Sequence, residues 1–236
     1  MTNAAQTFTI KAKHAMGVKK IMANAEMKIV CFGDSLTYGY GVLEHIAYPY
    51  YLSKELPKAY PQYSWEVRNS GINGHTTREA LARLKGSVLQ HKPQMVFIWF
   101  GSNDSALNEG QYRTPYEFEE NLRQIITQIL SLSTESDFHN GVPLIVLMTP
   151  PSMVDTDFYP FTTNDRLEYY GEMVKKVAAE YNLPVMDLFS VYKSIKNKAD
   201  YEACFQYDGE HLSNRGYEVL YDELMKTIHE IMEKYT

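Results

Sequence analysis

The sequence has few cysteines, no long apolar run and no excess of positive charge. Only two of its 236 residues are cysteines, which excludes a disulfide framework as the basis of its stability. Cys31 lies in an apolar run typical of a buried free thiol, which fits a reducing compartment, and we expect a cytoplasmic protein. No stretch is long and apolar enough to span a membrane, so we expect no membrane insertion. A formal net charge of −6 offers no positive surface, so we expect no nucleic-acid partner.

Three common site motifs are also missing. The chain has neither the G-x-G-x-x-G pattern of dinucleotide-binding folds nor the G-K-[ST] of a phosphate-binding loop. It also lacks the G-x-S-x-G turn of α/β-hydrolases, because Thr37 stands where the second glycine would be. We therefore expect an activity that uses no cofactor and no metal.

The chain divides into a leader, residues 1–26, and one domain, residues 27–236. The leader is basic and has no acidic residue before Glu26, and we expect it to be poorly ordered. From Met27 onward, apolar runs alternate with helical patterns. The runs are KIVCF (28–32), SWEVRN (64–69), MVFIWF (95–100), PLIVLMT (143–149) and PVMDL (184–188). This alternation predicts a three-layer α/β/α domain with a mostly parallel five-stranded sheet.

Small and polar residues follow four of the predicted strands. They are Gly-Asp-Ser (33–35), Asn-Ser-Gly-Ile-Asn-Gly (69–74), Gly-Ser-Asn-Asp (101–104) and Thr-Pro-Pro (149–151). Because ligands of such sheets bind at the carboxyl ends of the strands, we expect these loops to form one site.

Ser35 has two interpretations. It caps the segment that follows the first strand, or it is a nucleophile on a strand-to-helix turn. A serine nucleophile needs a base, and the candidates are His75 on the same edge of the sheet and His211 near the chain's end. Asp208 lies three residues before His211, a spacing that lets its carboxylate orient the imidazole while the other ring nitrogen faces the serine. Asp187, after the fifth strand, is a competing acid. We favour Ser35, His211 and Asp208.

Acyl transfer also needs hydrogen-bond donors for the developing oxyanion. Gly71 can offer an unobstructed backbone N–H, Asn103 a side-chain amide and Ser35 its own N–H. Each has a structural alternative, because Gly71 suits a tight turn and Asn103 suits a helix cap. The sequence predicts all three as donors because they follow adjacent strands.

Four motifs, FGDSLTYG, NSGINGHTT, FGSND and DGEHLS, resemble the sequence blocks of the GDSL esterase/lipase, or SGNH hydrolase, superfamily in order and spacing. FGSNDSAL and the TPP after the fourth strand resemble the isoamyl acetate-hydrolysing esterase branch. The resemblance implies a flavodoxin-like SGNH fold. It also implies the roles of Ser35, Gly71, Asn103 and His211, with Asp208 completing a triad. Glu210 departs from the apolar residue usual at its place, and either adds a charge beside the His–Asp pair or faces water.

We therefore expect a serine esterase whose partner is a small ester with a short acyl chain. Alternatives on the same site are a carbohydrate O-deacetylase, a thioesterase, a lysophospholipase or a binding module without catalysis. The segment 150–165 is the expected pocket wall, with Met153, Phe158, Tyr159 and Phe161 as its apolar surface. The alternative is that these aromatic side chains only pack the loop down.

Overall fold

The computed structural model describes residues 25–134, 136–158 and 160–235. In this part of the chain, five strands form one sheet in the order β2-β1-β3-β4-β5. The strands are β1 (Ala25–Gly33), β2 (Tyr63–Gly71), β3 (Met95–Trp99), β4 (Leu144–Met148) and β5 (Val185–Met186). Each neighbouring pair is parallel. This is the strand order of flavodoxin-like doubly wound folds.

Helices cover both faces of the sheet. They are α1 (Ser35–Tyr38), α2 (Tyr48–Ala59), α3 (Thr77–Ser87), α4 (Ser102–Ser105), α5 (Pro115–Leu130), α6 (Asn164–Glu180), α7 (Leu188–Lys193), α8 (Lys198–Ala203) and α9 (Asn214–Tyr235). Apolar residues spaced three or four apart are buried on two of the amphipathic helices: Phe118, Leu122, Ile125 and Ile129 on α5, and Tyr217, Leu220, Leu224, Ile228 and Ile231 on α9. The structure confirms the three-layer α/β/α fold.

Side chains alternate along each central strand between two hydrophobic cores. In β1, Met27, Ile29 and Cys31 enter one core, while Val30 and Phe32 enter the other. All five residues of β3 and of β4 are buried, as expected for strands covered on both faces. Because both cores anchor β1, the residues that follow it start from a fixed position.

The strand boundaries differ from the prediction at both ends of the domain. β1 begins at Ala25, two residues before the expected boundary at Met27, and Ala25 pairs with Tyr63 of β2. β5 covers only Val185–Met186, because the next residue, Asp187, already caps α7 by accepting the N–H of Ser190 at 3.2 Å. The rest of the expected leader, residues 1–24, lies outside the described residues.

No helix in the described ranges combines the length and the apolar composition needed to cross a membrane. Cys31 and Cys204 are both buried free thiols.

Candidate active site

The predicted loops meet at one edge of the sheet. In the register of the strands, Gly33 at the end of β1 lies opposite Gly71 of β2 and Trp99 of β3. Trp99 in turn lies opposite Met148 of β4. The carboxyl ends of four parallel strands are therefore level, and the residues that follow them share one rim.

The turn after β1 places Ser35 at the start of a short helix. A Cβ on Gly33 would lie 2.7 Å from the carbonyl oxygen of Trp99, so only glycine fits there. Asp34 is the N-cap of α1 and accepts the N–H of Leu36 at 2.9 Å. Ser35 is the first helical residue, so the capping role considered for it belongs to Asp34.

One chain of hydrogen bonds joins Ser35, His211 and Asp208. The Oγ atom of Ser35 lies 2.9 Å from Nε2 of His211. On the other side of the ring, Nδ1 of His211 lies 2.8 Å from Oδ2 of Asp208. The imidazole can therefore take a proton from the serine while the carboxylate fixes the position of the ring.

The loop that carries Asp208 and His211 is held on both sides. The second carboxylate oxygen of Asp208 accepts the N–H groups of Glu210 and His211, each at 3.0 Å. Thr156 donates its hydroxyl to the carbonyl of Asp208 at 2.8 Å. Gly209 has φ of +81°, and a Cβ there would meet the carbonyl of Val154 at 2.1 Å. These contacts hold the loop that carries the imidazole in one conformation.

Tyr40 covers one face of the imidazole. The rings of Tyr40 and His211 lie 4.5 Å apart between centroids, with their planes at 43°. Gln206 donates to the carbonyl oxygens of Tyr40 at 2.7 Å and Leu212 at 2.9 Å, so it joins the loop after α1 to the loop of His211. Tyr40 is 45% exposed and therefore borders the opening of the site.

The rival residues have other partners. Nδ1 of His75 accepts a hydrogen bond from Arg83 at 3.1 Å. Arg83 also donates to the carbonyls of Gly33 and Ser70, and so ties α3 to the ends of β1 and β2. Asp187 caps α7 and pairs with Lys175 at 2.6 Å. Neither His75 nor Asp187 contacts the Ser35–His211 pair among the described residues.

Gly71, one of the predicted oxyanion donors, has its N–H engaged in this structure. Its N–H is donated to the side chain of Asn69 at 2.9 Å, so it is already engaged. The absence of a side chain at Gly71 has a packing reason, because a Cβ there would lie 2.2 Å from the backbone nitrogen of Tyr38. This glycine lets α1 approach the end of β2.

Asn103, another predicted donor, lies beside the turn that carries Ser35. Its Nδ2 atom donates to the carbonyl of His75 at 3.1 Å and lies 3.3 Å from Oδ2 of Asp34. Asp104 accepts the N–H of Thr77 at 3.0 Å and thereby holds the start of α3. The two neighbouring side chains of α4 thus fasten the loop between β2 and α3 beside Ser35.

That loop contains a donor that the sequence analysis missed. Gly74 has φ of +74°, a backbone conformation that favours glycine. Its N–H has no hydrogen-bond partner in the part of the chain that the structure describes, and its carbonyl faces Gln111 at 3.4 Å. It directly precedes His75, whose carbonyl Asn103 binds. The Asn-Gly pair at 73–74, a typical turn signal, was the available clue.

Three buried carboxyl groups surround the Ser35 turn. Burial raises the pKa of Asp34 to about 7, opposed by the hydrogen bond from Leu36. Burial raises the pKa of Asp104 to about 7, opposed by its bonds from Thr77. Burial, with the nearby charges of Asp34 and Asp208, raises the pKa of Glu210 to about 8. Near neutral pH Glu210 is therefore mostly protonated and Asp34 and Asp104 are partly protonated, which reduces the repulsion that these groups exert on an oxyanion.

The model for the GDSL-like lipase/acylhydrolase family matches residues 31–219 of the chain. The chain belongs to this family. It is 27% identical over 225 residues to the isoamyl acetate-hydrolyzing esterase of Saccharomyces cerevisiae, with 88% of each chain covered. It is 28% identical over 220 residues to the acetylxylan esterase of Geobacillus stearothermophilus, covering 85% of this chain and 93% of that one.

Solved structures agree with this assignment. The lipase/acylhydrolase from Enterococcus faecalis superposes with a TM-score of 0.71 at 30% identity, over 89% of this chain and 97% of that one. The resemblance of the four motifs to the GDSL family is confirmed, and the protein is a hydrolase that acts on esters.

In this GDSL-family hydrolase, aromatic side chains stand exposed beside the loop of Asp208. Tyr207 is 77% exposed and Phe158 is 70% exposed, and their rings pack edge to face with centroids 5.4 Å apart. Of the other residues expected in the pocket wall, Phe161 is also exposed, whereas Met153 is buried against Leu167 and Phe189. Tyr159 lies outside the described residues.

Glu210 is only 7% exposed, so of the two alternatives for this residue the one in which it faces water is wrong. The pKa of Glu210 rises from its usual 4.5 to about 8 on folding, so between these pH values the unfolded state binds fewer protons. The free energy of unfolding therefore falls as pH rises through this range, by about 1.4 kcal/mol for each unit of pKa difference. We expect Glu210→Gln, which mimics the protonated form, to match the wild type near pH 4 and to be more stable by about 3 to 5 kcal/mol above pH 8.

Urea denaturation of both proteins across this pH range tests the prediction. Glu230→Gln, on an exposed position of α9, is the control and is expected to change stability by less than about 0.5 kcal/mol at every pH. A gain for Glu210→Gln that does not grow with pH would contradict the account of Glu210.

Proposed function

We propose that the protein is a serine esterase that hydrolyses small carboxylic esters with short acyl chains. The observation that carries the proposal is the unbroken chain of hydrogen bonds from Ser35 through His211 to Asp208. A serine hydroxyl is a weak nucleophile at neutral pH unless a base takes its proton, and the ring nitrogen of His211 lies in reach to do so.

In the first half of the proposed reaction, the Oγ atom of Ser35 attacks the ester carbonyl and its proton moves to Nε2 of His211. The positive imidazolium is stabilised by the carboxylate of Asp208, which keeps its own charge. The tetrahedral intermediate then collapses, and His211 gives the proton to the departing alcohol. The acyl group remains on Ser35.

The second half repeats these steps with water. His211 takes a proton from a water molecule as its oxygen attacks the acyl-enzyme carbonyl. The new intermediate releases the carboxylic acid, and the proton returns through His211 to Oγ of Ser35. The enzyme is restored without a cofactor.

We assign the oxyanion to three donors: the N–H of Ser35, the N–H of Gly74 and the side-chain amide of Asn103. Gly74 replaces Gly71 in this set because its N–H is free of partners among the described residues while that of Gly71 is engaged. Both N–H groups of Asn103 are engaged, one to His75 at 3.1 Å and the other to Asp34 at 3.3 Å. We assign to the oxyanion the N–H that makes the longer bond, which exchanges Asp34 for the oxyanion, whereas Gly71 would have to give up a bond of 2.9 Å.

Two observations support a preference for short acyl chains. The yeast and Geobacillus relatives are both named for the hydrolysis of an acetyl ester. In addition, Phe158 and Phe161 belong to the segment whose residues Val154 and Thr156 bind the Asp208 loop, and we infer that their bulky side chains shorten the space for the acyl chain.

A series of p-nitrophenyl esters from acetyl to decanoyl tests the substrate class. We expect kcat/KM to be highest between acetyl and butyryl and to fall at least about tenfold by octanoyl. Each methylene that fits adds roughly 0.8 kcal/mol of apolar burial, so a short cleft gives a rise followed by a sharp fall. Activity that increases steadily to decanoyl would overturn the short-acyl assignment and leave the catalytic residues standing.

A second candidate is the removal of acetyl groups from sugars. The exposed, edge-to-face pair of Tyr207 and Phe158 favours it, because aromatic rings beside a hydrolytic site provide apolar faces on which sugar rings stack. Acetylated xylo-oligosaccharides included in the same series decide between the two. Hydrolysis of these sugars alone, with no turnover of simple acetyl esters, would replace the first proposal by the second.

A further inference from the structure

The side chain of Asn103 can work in the oxyanion hole in only one orientation. Its amide carries two N–H donors on one side and an oxygen acceptor on the other. Rotated by 180°, the amide would aim its oxygen at the developing negative charge and at the carbonyl of His75, and both pairs would repel. The amide must therefore be held with Nδ2 towards Ser35 before the substrate arrives.

Gln111 contacts Asn103 on the side away from His75. Its Nε2 atom donates to Oδ1 of Asn103 at 2.5 Å. The carbonyl of Gly74 also lies 3.4 Å from the same nitrogen. One side chain thus faces two of the three proposed oxyanion donors, and its donor group fits only the productive orientation of the Asn103 amide.

The orientation of Gln111 is fixed in turn by Asn108. Nδ2 of Asn108 donates to Oε1 of Gln111 at 2.5 Å, so the oxygen of Gln111 is engaged and its nitrogen points at Asn103. Oδ1 of Asn108 accepts the backbone N–H of Gln111 at 3.0 Å, which holds the two residues in one turn. The side-chain amides therefore form one chain of hydrogen bonds, in which Asn108 donates to Gln111 and Gln111 donates to Asn103.

We propose that Gln111 is a positioning residue for the oxyanion hole, acting through Asn103 and supported by Asn108. This inference rests on the proposed function, since it assigns Gln111 a role only if Asn103 stabilises an oxyanion. It predicts that Gln111 affects the chemical step and leaves binding of the ester nearly unchanged, because Asn103 acts mainly once the oxyanion forms.

A double-mutant cycle on p-nitrophenyl acetate tests the proposal. Gln111→Met keeps the length of the side chain and removes the donor, and is expected to lower kcat about tenfold with KM changed less than about twofold. Gln111→Glu presents an acceptor to Asn103, favours the flipped amide, and is expected to lower kcat further. In the Asn103→Ala background, Gln111→Met is expected to lower kcat no further, because the amide that Gln111 orients is absent.

Gln124→Met, on the exposed face of α5, is the control and is expected to keep wild-type kinetics. Equal losses from Gln111→Met with and without Asn103 would overturn the inference while the proposed function survives. An Asn103→Ala variant with normal kcat would overturn both the inference and the assignment of Asn103 to the oxyanion, whereas loss of esterase activity from the wild type itself is what would overturn the proposed function. If Gln111→Met lowers Tm by more than about 10 °C, Asn108→Ala, which removes only the bonds that orient Gln111, takes its place in the cycle with the same expected outcomes.

Discussion

Replacement of Ser35 or His211 by alanine is expected to lower kcat by about 10⁴-fold or more. Ser35 supplies the attacking oxygen and His211 carries the proton in every step of the proposed reaction, so neither function has a substitute nearby. Because the two residues act as a unit, the Ser35→Ala/His211→Ala double variant is expected to be no worse than either single variant. Initial rates on p-nitrophenyl acetate, with circular dichroism to verify folding, measure the effect.

The two candidate acids provide a matched control for this prediction. Asp208→Ala is expected to be severe, though less so than Ser35→Ala, because the imidazole loses its orientation but keeps its nitrogen near the serine. Asp187→Asn is expected to change kcat by less than about threefold, since Asp187 caps α7 and pairs with Lys175. If Asp187→Asn were the damaging change and Asp208→Ala the mild one, the proposed triad would be wrong.

Asn103→Ala is expected to lower kcat by about 10² to 10³, with KM almost unchanged. Its amide strengthens a hydrogen bond only as the carbonyl oxygen gains charge, so its loss raises the barrier and leaves the bound ester unaffected. Asn69→Ala is a suitable control. Asn69 lies on the same rim, but its side chain hydrogen-bonds to the backbone of Gly71 and Tyr38. Steady-state kinetics on acetyl and butyryl esters separate kcat from KM.

The outcome for Asn103 has a clear alternative. A variant that loses only affinity, with kcat preserved, would make Asn103 a group that binds the ground state of the ester. The assignment of Gly74 would then rest only on its N–H, which has no partner among the described residues, because Gly74 is connected to the site through Gln111 and Asn103.

The fold was predictable because the alternation of apolar runs with helical patterns is repeated along the chain. The runs that became β3 and β4 are continuously apolar, and their order with amphipathic helices leaves few alternatives to a covered parallel sheet. The length of β5 was not predictable in the same way. Asp187 reads equally well as the end of a strand and as the cap of a helix, and only the packing of α7 decides.

Which glycine offers its N–H to the oxyanion could not be predicted from the sequence. Gly71 and Gly74 stand three residues apart in NSGING, and either can expose an N–H. The difference lies in the partners of those N–H groups, which depend on the side chain of Asn69 and on the fold of the loop. Gly71 is required instead by the close approach of Tyr38.

The burial of Glu210 is a second feature that could not be predicted from the sequence. Its neighbours along the chain, Gly209 and His211, give no sign that it is buried near Asp34, which is distant in sequence. With a pKa of about 8 it is mostly protonated at neutral pH, so it adds little negative charge beside the imidazole.

The central claim is that His211 and Asp208 activate Ser35 as a nucleophile, and covalent labelling by a fluorophosphonate tests it most directly. Such probes react with activated serines and leave a stable adduct whose position mass spectrometry identifies. The account predicts one adduct per chain, on Ser35, in the wild type, and none within the same time in Ser35→Ala or His211→Ala. Labelling of a different serine, or undiminished labelling of Ser35 in the His211→Ala variant, would contradict it.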